Sequence, residues 1–272
     1  FMPLKGPVKL KDPSAVCFTI MFDGLKQEWM FGVQVSVDMK MRKQVEIYNL
    51  KKRDYLGTTS MEAEMGLLMA NIGLVKKDHL VYDPFVGTGS LLFTASHFGA
   101  FSFGSDIDGR QMRGGREDPN GRGSLHSNTR QYKLEGRVLG GLVFDITQHP
   151  WREGVHFDAI ICDPPYGVRA GAKRISKIEG KNRAIPLEER HVVYPTTKPY
   201  DLDDLVQDLL EFAVERLIPG GRLVFWYAVD SRLPLDDPSS NIKPPNSLVF
   251  KYSIPQKMRM INRWLIVYEK NF

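Results

Sequence analysis

The sequence has little cysteine, and this scarcity narrows the classes of protein it can be. Cys17 and Cys162 stand alone among 272 residues, which excludes a disulfide framework and a cysteine-rich zinc site and favours a reducing compartment such as the cytoplasm. No apolar run approaches the roughly 20 residues of a membrane-spanning helix, so we expect no membrane partner. The six histidines show neither metal-ligand nor triad spacing, and we assign them no site.

The composition that remains is that of an ordinary globular protein. Hydrophobic residues make up 42% of the chain and charged residues 25%, and the net charge of +5 is compatible with a polyanionic partner. Residues 1–49 are interrupted by prolines and glycines around short candidate strands at 16–22 and 30–37. We therefore separate residues 1–49, the end of an appended module with a linker, from one larger domain at residues 50–272.

From residue 58 onward, strand-like apolar runs alternate with stretches of helical periodicity. Helices are predicted after residue 59, where Thr59 and Glu62 have capping-box spacing, after Gly89, and from Asp201 to the glycines at 220 and 221. The alternation predicts an α/β fold with a mostly parallel, seven-stranded sheet, in which ligands bind at the carboxyl ends of the strands. The apolar face of the first helix is predicted to comprise Met61, Met65, Leu68, Met69 and Ile72. The strand-like runs are residues 79–85, 100–106, 137–145, 157–162 and 222–229, followed by 247–254 and 262–268, which predict a C-terminal β-hairpin.

A short glycine loop follows the first of these predicted strands. A dinucleotide site needs a third glycine, and Leu92 stands in its place. The carboxylate of Asp83 would repel a pyrophosphate but could accept a hydrogen bond from an α-amino group, which S-adenosylmethionine carries without any phosphate. The alternative is a tight turn that binds no ligand. The predicted cofactor-binding residues of this loop are Asp83, Pro84, Phe85, Gly87, Thr88 and Gly89.

Carboxylates also end the next two predicted strands. Asp106, or else Asp108, is placed to accept hydrogen bonds from the ribose hydroxyls of an adenosine, with Ile107 packing on the adenine face. Asp145, followed by Ile146, could accept from the adenine amino group. The alternatives are solvated acids at a strand end for the first group and a helix or turn cap for Asp145.

The run at 157–162 leads into an Asp-Pro-Pro-Tyr motif formed by Asp163, Pro164, Pro165 and Tyr166. Two prolines stop the strand and fix the backbone. An exocyclic base amine is a poor nucleophile, and the Asp163 carboxylate and the Pro164 carbonyl could each accept one of its hydrogens and orient its lone pair. Tyr166 could stack on the target base. The motif predicts methylation of a base amine and fits adenine N6, cytosine N4 and guanine N2 equally well.

Two basic segments leave the same predicted sheet edge. Residues 109–137 and residues 167–191 each contain seven Lys or Arg against three acids, which gives 7 − 3 = +4 in both cases. Such segments could hold the phosphates of a nucleic acid beside the target base. The alternative is that they are solvated loops.

These motifs together resemble the catalytic subunit of the eukaryotic tRNA guanosine-N2-methyltransferases that modify position ten. The resemblance covers residues 51–108, 158–169 and 220–226, and residues 1–11 are similar to the end of that family's RNA-binding THUMP region. It implies a Rossmann-like class I methyltransferase fold, S-adenosylmethionine as donor, tRNA as substrate and a small zinc-binding activator subunit as partner. It also implies that residues 1–49 are a remnant of the THUMP region, and that the methionine end of the donor lies near Thr58, Thr59 and Ser60.

Three other functions are compatible with parts of the pattern. An adenine-N6 methyltransferase acting on DNA or RNA would use the same motif. A catalytically inactive, RNA-binding member of the fold would not need the intact Asp163 and glycine loop that this sequence carries. A nicotinamide oxidoreductase would need the third glycine that this loop lacks.

Overall fold

A computed structural model describes residues 15–33, 40–113, 123–166, 171–175, 197–230, 236–258 and 261–272, together with the single residues 6, 9, 12 and 232. The chain divides into two compact units, Phe1–Gln44 and Val45–Phe272. This division lies close in sequence to the predicted boundary between residues 49 and 50. No helix among these residues is long and apolar enough to cross a membrane.

The first unit contains an antiparallel hairpin of β1 (Phe18–Asp23) and β2 (Glu28–Val33). Strands were predicted at 16–22 and 30–37, and residues 34–37 lie outside the described part. Aromatic side chains pair across the hairpin, with the rings of Phe22 and Trp29 4.8 Å apart, yet most of its side chains are exposed. That this unit is the remnant of a THUMP region stays a prediction.

The second unit is built on a seven-stranded sheet with helices on both faces. Its strands are β3 (Leu80–Asp83), β4 (Phe101–Asp106), β5 (Val138–Val143), β6 (Phe157–Cys162), β9 (Leu217–Asp230), β10 (Leu248–Lys257) and β11 (Ile261–Lys270), and β7 (Lys173–Ile175) pairs separately with β8 (Thr197–Pro199). The strand order in the sheet is β10-β11-β9-β6-β3-β4-β5, parallel from β9 to β5 and antiparallel at β11 and β10. The predicted mostly parallel sheet and C-terminal hairpin are confirmed. The helices are α1 (Lys40–Ile47), α2 (Ala63–Ile72), α3 (Ser90–His97), α4 (Arg110–Arg113), α5 (Leu125–Gln131) and α6 (Leu202–Arg216).

The core lies on both faces of this sheet because successive strand residues point to opposite sides. On β6, Ile160 packs with α6 and Ile161 packs in the cluster that contains α2 and α3. Both side chains are fully buried. A parallel sheet covered on both faces leaves the carboxyl edge of its strands as the place where polar groups can converge.

Two helix boundaries differ from the sequence prediction. Helix α2 begins at Ala63 with Glu62 as its N-cap residue and no side-chain cap, so the predicted capping box is wrong. Ser60 is instead bonded to the backbone of Gly57, which holds this segment as a turn. Within α2, Leu68 is 42% exposed and does not belong to the apolar face.

The end of α6 also differs. The predicted terminator, the proline and two glycines at 219–221, lies inside β9 and not at the helix end. The pairing of β6 with β9 is irregular there, since Phe157 aligns with Leu217 and Ala159 with Arg222. Gly220 has a φ of 77°, which explains why a glycine stands in the irregularity.

Candidate active site

The carboxyl edge of the sheet gathers three acidic side chains. Asp83 ends β3, Asp106 ends β4, and Asp163 follows β6 directly. Burial is the main cause that raises the pKa of Asp83, and the negative charges of Asp106 and Asp163 raise it further, so the three carboxyl groups interact electrostatically. Such a cluster repels itself unless a cation joins it. The site is therefore suited to a ligand that carries positive charge.

The glycine loop between β3 and α3 depends on positive φ values. Gly87 (φ 49°) directs its N–H to Oδ2 of Asp106 at 2.9 Å. Gly89 (φ 88°) precedes α3, and a Cβ there would lie 3.0 Å from the ring of Phe93. Glycine is required at both positions because other residues adopt these angles at a cost. The loop is thereby held tightly against the Asp106 carboxylate.

Asp83 is almost fully buried at the base of this loop. Its Oδ1 accepts a hydrogen bond from the N–H of Phe85 at 2.9 Å. Burial raises the pKa of Asp83 well above its usual range. Its Oδ2 accepts no hydrogen bond from any described residue, so this oxygen can receive one from a ligand amine.

Asp106 and Asp108, the two candidates for the ribose contact, have different surroundings. Asp106 is partly buried and accepts from the N–H groups of Gly87 and Asp108, and burial raises its pKa. Asp108 forms an ion pair with Arg110 at 2.7 Å, which lowers its pKa. The geometry favours Asp106, while Ile107 beside it is partly buried. The assignment of the ribose to Asp106 stays a prediction.

Asp145 is a buried carboxylate whose two oxygens are already engaged. Oδ1 accepts from the backbone N–H and the hydroxyl of Thr147, and Oδ2 accepts from the N–H of Ile175 at 2.6 Å. It thus caps the turn of 3₁₀ helix at Ile146–Gln148, the alternative that its sequence context left open. Ile146 is buried in the core. Contacts of these two residues with an adenine stay predictions.

The turn at residues 57–60 reaches the glycine loop through one side chain. Ser60 accepts from the N–H of Gly57 at 3.0 Å and shares a hydrogen bond of 2.8 Å with the hydroxyl of Thr88. Ser60 and Thr88 therefore form one polar surface at the glycine loop. Thr58 and Thr59 lie next to Ser60 and are exposed to solvent.

Asp163 is a buried carboxyl group whose two oxygens have different surroundings. Its Oδ2 lies 3.6 Å from Nη1 of Arg263, whereas its Oδ1 is buried without a hydrogen-bond partner among the described residues. Burial raises the pKa of Asp163, the Arg263 cation and the Tyr166 hydroxyl lower it in part, and the resulting pKa is about 6. A buried, unpaired oxygen is costly, so it indicates a position for a hydrogen-bond donor from outside the chain.

Arg263 itself was not among the residues predicted from the sequence. It lies on β11 and is 9% exposed, with its guanidinium 4.0 Å from the ring centroid of Trp226. Its Nε donates to Oε1 of Gln256 at 2.6 Å, and its Nη1 donates to the Tyr166 hydroxyl at 3.4 Å. The signal that could have found it is an arginine directly before the apolar run of residues 264–268, where an unpaired charge would be costly.

A second buried arginine supports the start of α3. Arg53 donates to Oγ of Ser90 at 2.6 Å and to the Tyr132 hydroxyl at 3.0 Å, and it lies over the ring of Phe93. The sequence marked residues 51–53 only as a basic junction. The contacts show that Arg53 fixes the helix that follows the glycine loop.

The two basic segments, residues 109–137 and 167–191, agree only in part with their predicted position. Arg137 binds Asp78 at 2.7 Å and the carbonyl of Gly99 at 2.8 Å, both of which precede their strands. It therefore lies at the amino edge of the sheet, and its assignment to the target-base side is wrong. Arg110 is neutralised by Asp108. Residues 114–122, 167–170 and 176–196, which carry most of the remaining charges, lie outside the described part.

The placement of Arg137 leads to a simple expectation. Arg137→Ala should lower the midpoint of thermal unfolding slightly, because an exposed ion pair and one hydrogen bond are lost. Its affinity for a structured RNA probe, measured by filter binding, should stay unchanged. A clear loss of affinity for that probe would show that the amino edge of the sheet also binds nucleic acid.

Comparison with known proteins shows which methyltransferases this chain is similar to. Residues 51–178 match the RMKL-like methyltransferase domain. The chain is 42% identical over 258 residues to the tRNA (guanine(10)-N(2))-methyltransferase of Schizosaccharomyces pombe, covering 92% of this chain and 52% of that protein. It is a homologue of the tRNA (guanine(10)-N(2))-methyltransferases over most of its length. The human relative is 40% identical over 253 residues, covering 84% of this chain and 53% of its own length, and that of Saccharomyces cerevisiae is 37% identical over 285 residues, covering 98% and 64%.

The chain spans about half the length of most of these methyltransferase relatives. Among solved structures, TrmN from Thermus thermophilus superposes with a TM-score of 0.52 at 19% identity, covering 97% of this chain and 62% of that one. At that identity the likeness shows the fold alone. The predicted Rossmann-like methyltransferase fold is confirmed.

S-adenosylmethionine is the cofactor that this methyltransferase family indicates. The residues present fit it. The donor carries an ammonium and a sulfonium cation, and the carboxylates of Asp83, Asp106 and Asp163 supply the opposite charge. The free Oδ2 of Asp83 suits the ammonium, and the hydroxyls of Ser60 and Thr88 offer further hydrogen bonds beside the loop. Bound there, it supplies the methyl group.

Proposed function

We propose that this chain is the catalytic part of an S-adenosylmethionine-dependent tRNA methyltransferase that forms N2-methylguanosine at position ten. The observation that carries the proposal is the buried, unpaired Oδ1 of Asp163, which follows β6 at the edge where the carboxylates of Asp83 and Asp106 suit the donor. The choice of guanine and of tRNA is supported by the names of relatives at about 40% identity.

The proposed chemistry is direct transfer to the exocyclic amine. Oδ1 of Asp163 accepts one N2 hydrogen of the guanine, and the carbonyl of Pro164 accepts the other, so that the nitrogen lone pair faces the donor methyl. Bound S-adenosylmethionine would supply the methyl group to this nitrogen and leave as S-adenosylhomocysteine, and the Asp163 carboxylate stabilises the positive charge that develops on the nitrogen. The nitrogen then loses one proton, for which Asp163 is the nearest acceptor. Tyr166 stacks on the base.

The rigidity of this arrangement comes from the strand and the prolines. Cys162, the last residue of β6, is fully buried. Asp163 follows it, and Pro164 and Pro165 come directly after Asp163. Proline fixes its own φ and restricts the residue before it, so Asp163 is confined by its neighbour. Orientation of a weak nucleophile depends on such fixed acceptors, because a small displacement loses the alignment.

The proposal includes two macromolecular partners. The first is tRNA, whose phosphates the positive segments would bind. The second is a small zinc-binding activator subunit in a heterodimer. Edge strand β5 offers a surface for a partner, since Leu139, Leu142 and Val143 on it are exposed. A cytoplasmic location accords with a tRNA substrate and with the free thiols of Cys17 and Cys162.

A methyl-transfer assay tests the proposal. Transcribed tRNA is incubated with tritiated donor and the chain, alone and with the activator subunit, and the nucleosides are then separated. We expect N2-methylguanosine, and a tRNA with adenosine at position ten should not be labelled. Recovery of N6-methyladenosine would contradict the substrate, and it would support the adenine alternative.

Calorimetry separates the inactive alternative. A catalytically inactive member of the fold that has lost its cofactor site would give no heat with S-adenosylmethionine, with or without the activator. We expect binding, and we expect S-adenosylhomocysteine to compete for the same site. Absence of donor binding under both conditions would leave RNA binding as the remaining activity.

A further inference from the structure

We infer that Arg263 is a positioning residue for methyl transfer, which keeps Asp163 in its carboxylate form and the Tyr166 hydroxyl in a fixed place. This inference rests on the proposed function and extends it to a residue on the C-terminal hairpin. Two contacts and the burial of Arg263 carry it. Nη1 of Arg263 lies 3.6 Å from Oδ2 of Asp163 and 3.4 Å from the Tyr166 hydroxyl, and the Arg263 side chain is itself buried.

The strands around Arg263 hold it in one orientation. The guanidinium stacks on Trp226 of β9, which lies on the neighbouring strand, at 4.0 Å from the ring centroid. Nε donates to Gln256 of β10 at 2.6 Å, and Gln256 contacts the sulfur of Met65 on α2 at 3.7 Å. Three strands and a helix therefore fix the end of a long side chain. Its freedom is already lost before substrate binds, which favours an electrostatic role in catalysis.

The positive charge of Arg263 favours the ionised form of Asp163. Among the residues that the structure describes, the titratable groups around Asp163 are Tyr166 in the same loop, Cys162 on its own strand, Asp83 at the end of β3, and Arg263. Burial favours the neutral acid, and the guanidinium of Arg263 is the one cation among these described neighbours that opposes it. A protonated Asp163 would lose acceptor strength on the amine that it orients, and it would lose the charge that stabilises the transition state.

The arrangement also leaves the right oxygen free. Arg263 faces Oδ2 of Asp163, so Oδ1 remains unpaired for the target amine. A bidentate pair would have occupied both oxygens and blocked the acceptor. The single contact at 3.6 Å thus supplies charge and orientation without competing for the hydrogen bond.

Kinetics as a function of pH test the inference. Arg263→Met keeps the length of the side chain and removes the charge, and Arg263→Lys restores the charge. For Arg263→Met we expect the acid limb of the kcat–pH profile to move up by about one pH unit, so that kcat falls about twofold at pH 7 and about tenfold at pH 5. Arg263→Lys should recover part of both. The KM for tRNA and the Kd for S-adenosylmethionine should stay within about threefold of wild type.

A matched control is available on β9. Arg222 is also a largely buried strand arginine near an aromatic ring, and it pairs with Glu269 and Tyr252 instead of Asp163. Arg222→Met should lower thermal stability and leave the pH profile unchanged. An unshifted profile for Arg263→Met would overturn the inference, and so would a loss confined to the KM for tRNA, which would make Arg263 a substrate contact.

A second measurement needs no activity and separates this inference from the proposed function. The folded pKa of Asp163 is raised to about 6, so ionisation destabilises the fold. Relative to Asp163→Asn, wild type should lose stability as the pH rises from about 4 to 6 and be constant above. In an Arg263→Met background the loss should continue above pH 6. An unchanged pH range would overturn the role of Arg263, whether or not tRNA is methylated.

Discussion

Asp163→Ala should reduce methyl transfer to tRNA by at least about 100-fold and leave donor affinity within a few-fold of wild type. Among the described residues, the substitution removes the one carboxylate oxygen that is buried and unpaired at the carboxyl edge. Loss of a single oriented group that stabilises a transition state costs about 10²–10³ in kcat. The donor should still bind through Asp83, Asp106 and the glycine loop. Single-turnover transfer of a tritiated methyl group measures the first effect, and calorimetry measures the second.

Two further variants separate charge from hydrogen bonding at this position. Asp163→Asn retains one oxygen as an acceptor and loses the negative charge, so it should keep more activity than Asp163→Ala. Asp236, an exposed carboxylate outside the site, serves as the control for removal of one negative charge, and Asp236→Ala should be fully active. If Asp163→Ala lowered donor affinity as much as transfer, Asp163 would be a donor-binding residue and its orienting role would be wrong.

Asp106→Ala should weaken binding of S-adenosylmethionine by at least about tenfold, and Asp108→Ala should change it little. Asp106 lies inside the carboxylate cluster and accepts the N–H of Gly87, so its removal takes away a ligand contact and loosens the glycine loop. Asp108 is turned toward Arg110 at the surface. Calorimetry on both variants checks the expectation, and a larger effect from Asp108→Ala would transfer the ribose contact to that residue.

Asp106→Asn distinguishes the two causes of that loss. The amide keeps one oxygen, which can still accept the N–H of Gly87, but its NH2 group can accept neither the N–H of Asp108 nor a ribose hydroxyl. Its donor affinity and its thermal stability should therefore both lie between those of wild type and those of Asp106→Ala. An affinity equal to that of wild type would mean that Asp106 acts only by holding the loop.

Sequence periodicity was sufficient to predict the fold class and most of the strands of the sheet. The apolar run of residues 159–162 lies within β6 because a strand buried on both faces has little room for polar side chains. The glycine loop and the acidic residues at the ends of β3 and β4 were found for the same reason, since such sheets place their ligands where the strands end. The capping box at Thr59 failed because Ser60 bonds within a turn that reaches Thr88, a contact between distant segments.

The sequence by itself determined the sheet, its carboxyl edge and the local motif of Asp163 to Tyr166, because each depends on residues that are neighbours along the chain. Only the tertiary structure decided which groups surround that motif. Arg263 lies 97 positions after Tyr166 and reaches it because β11 returns antiparallel beside β9. Arg137 was misplaced for the same reason, since its basic neighbours along the chain say nothing about the edge on which it lies. The charge that acts on Asp163 is set by packing across strands, and no local pattern contains it.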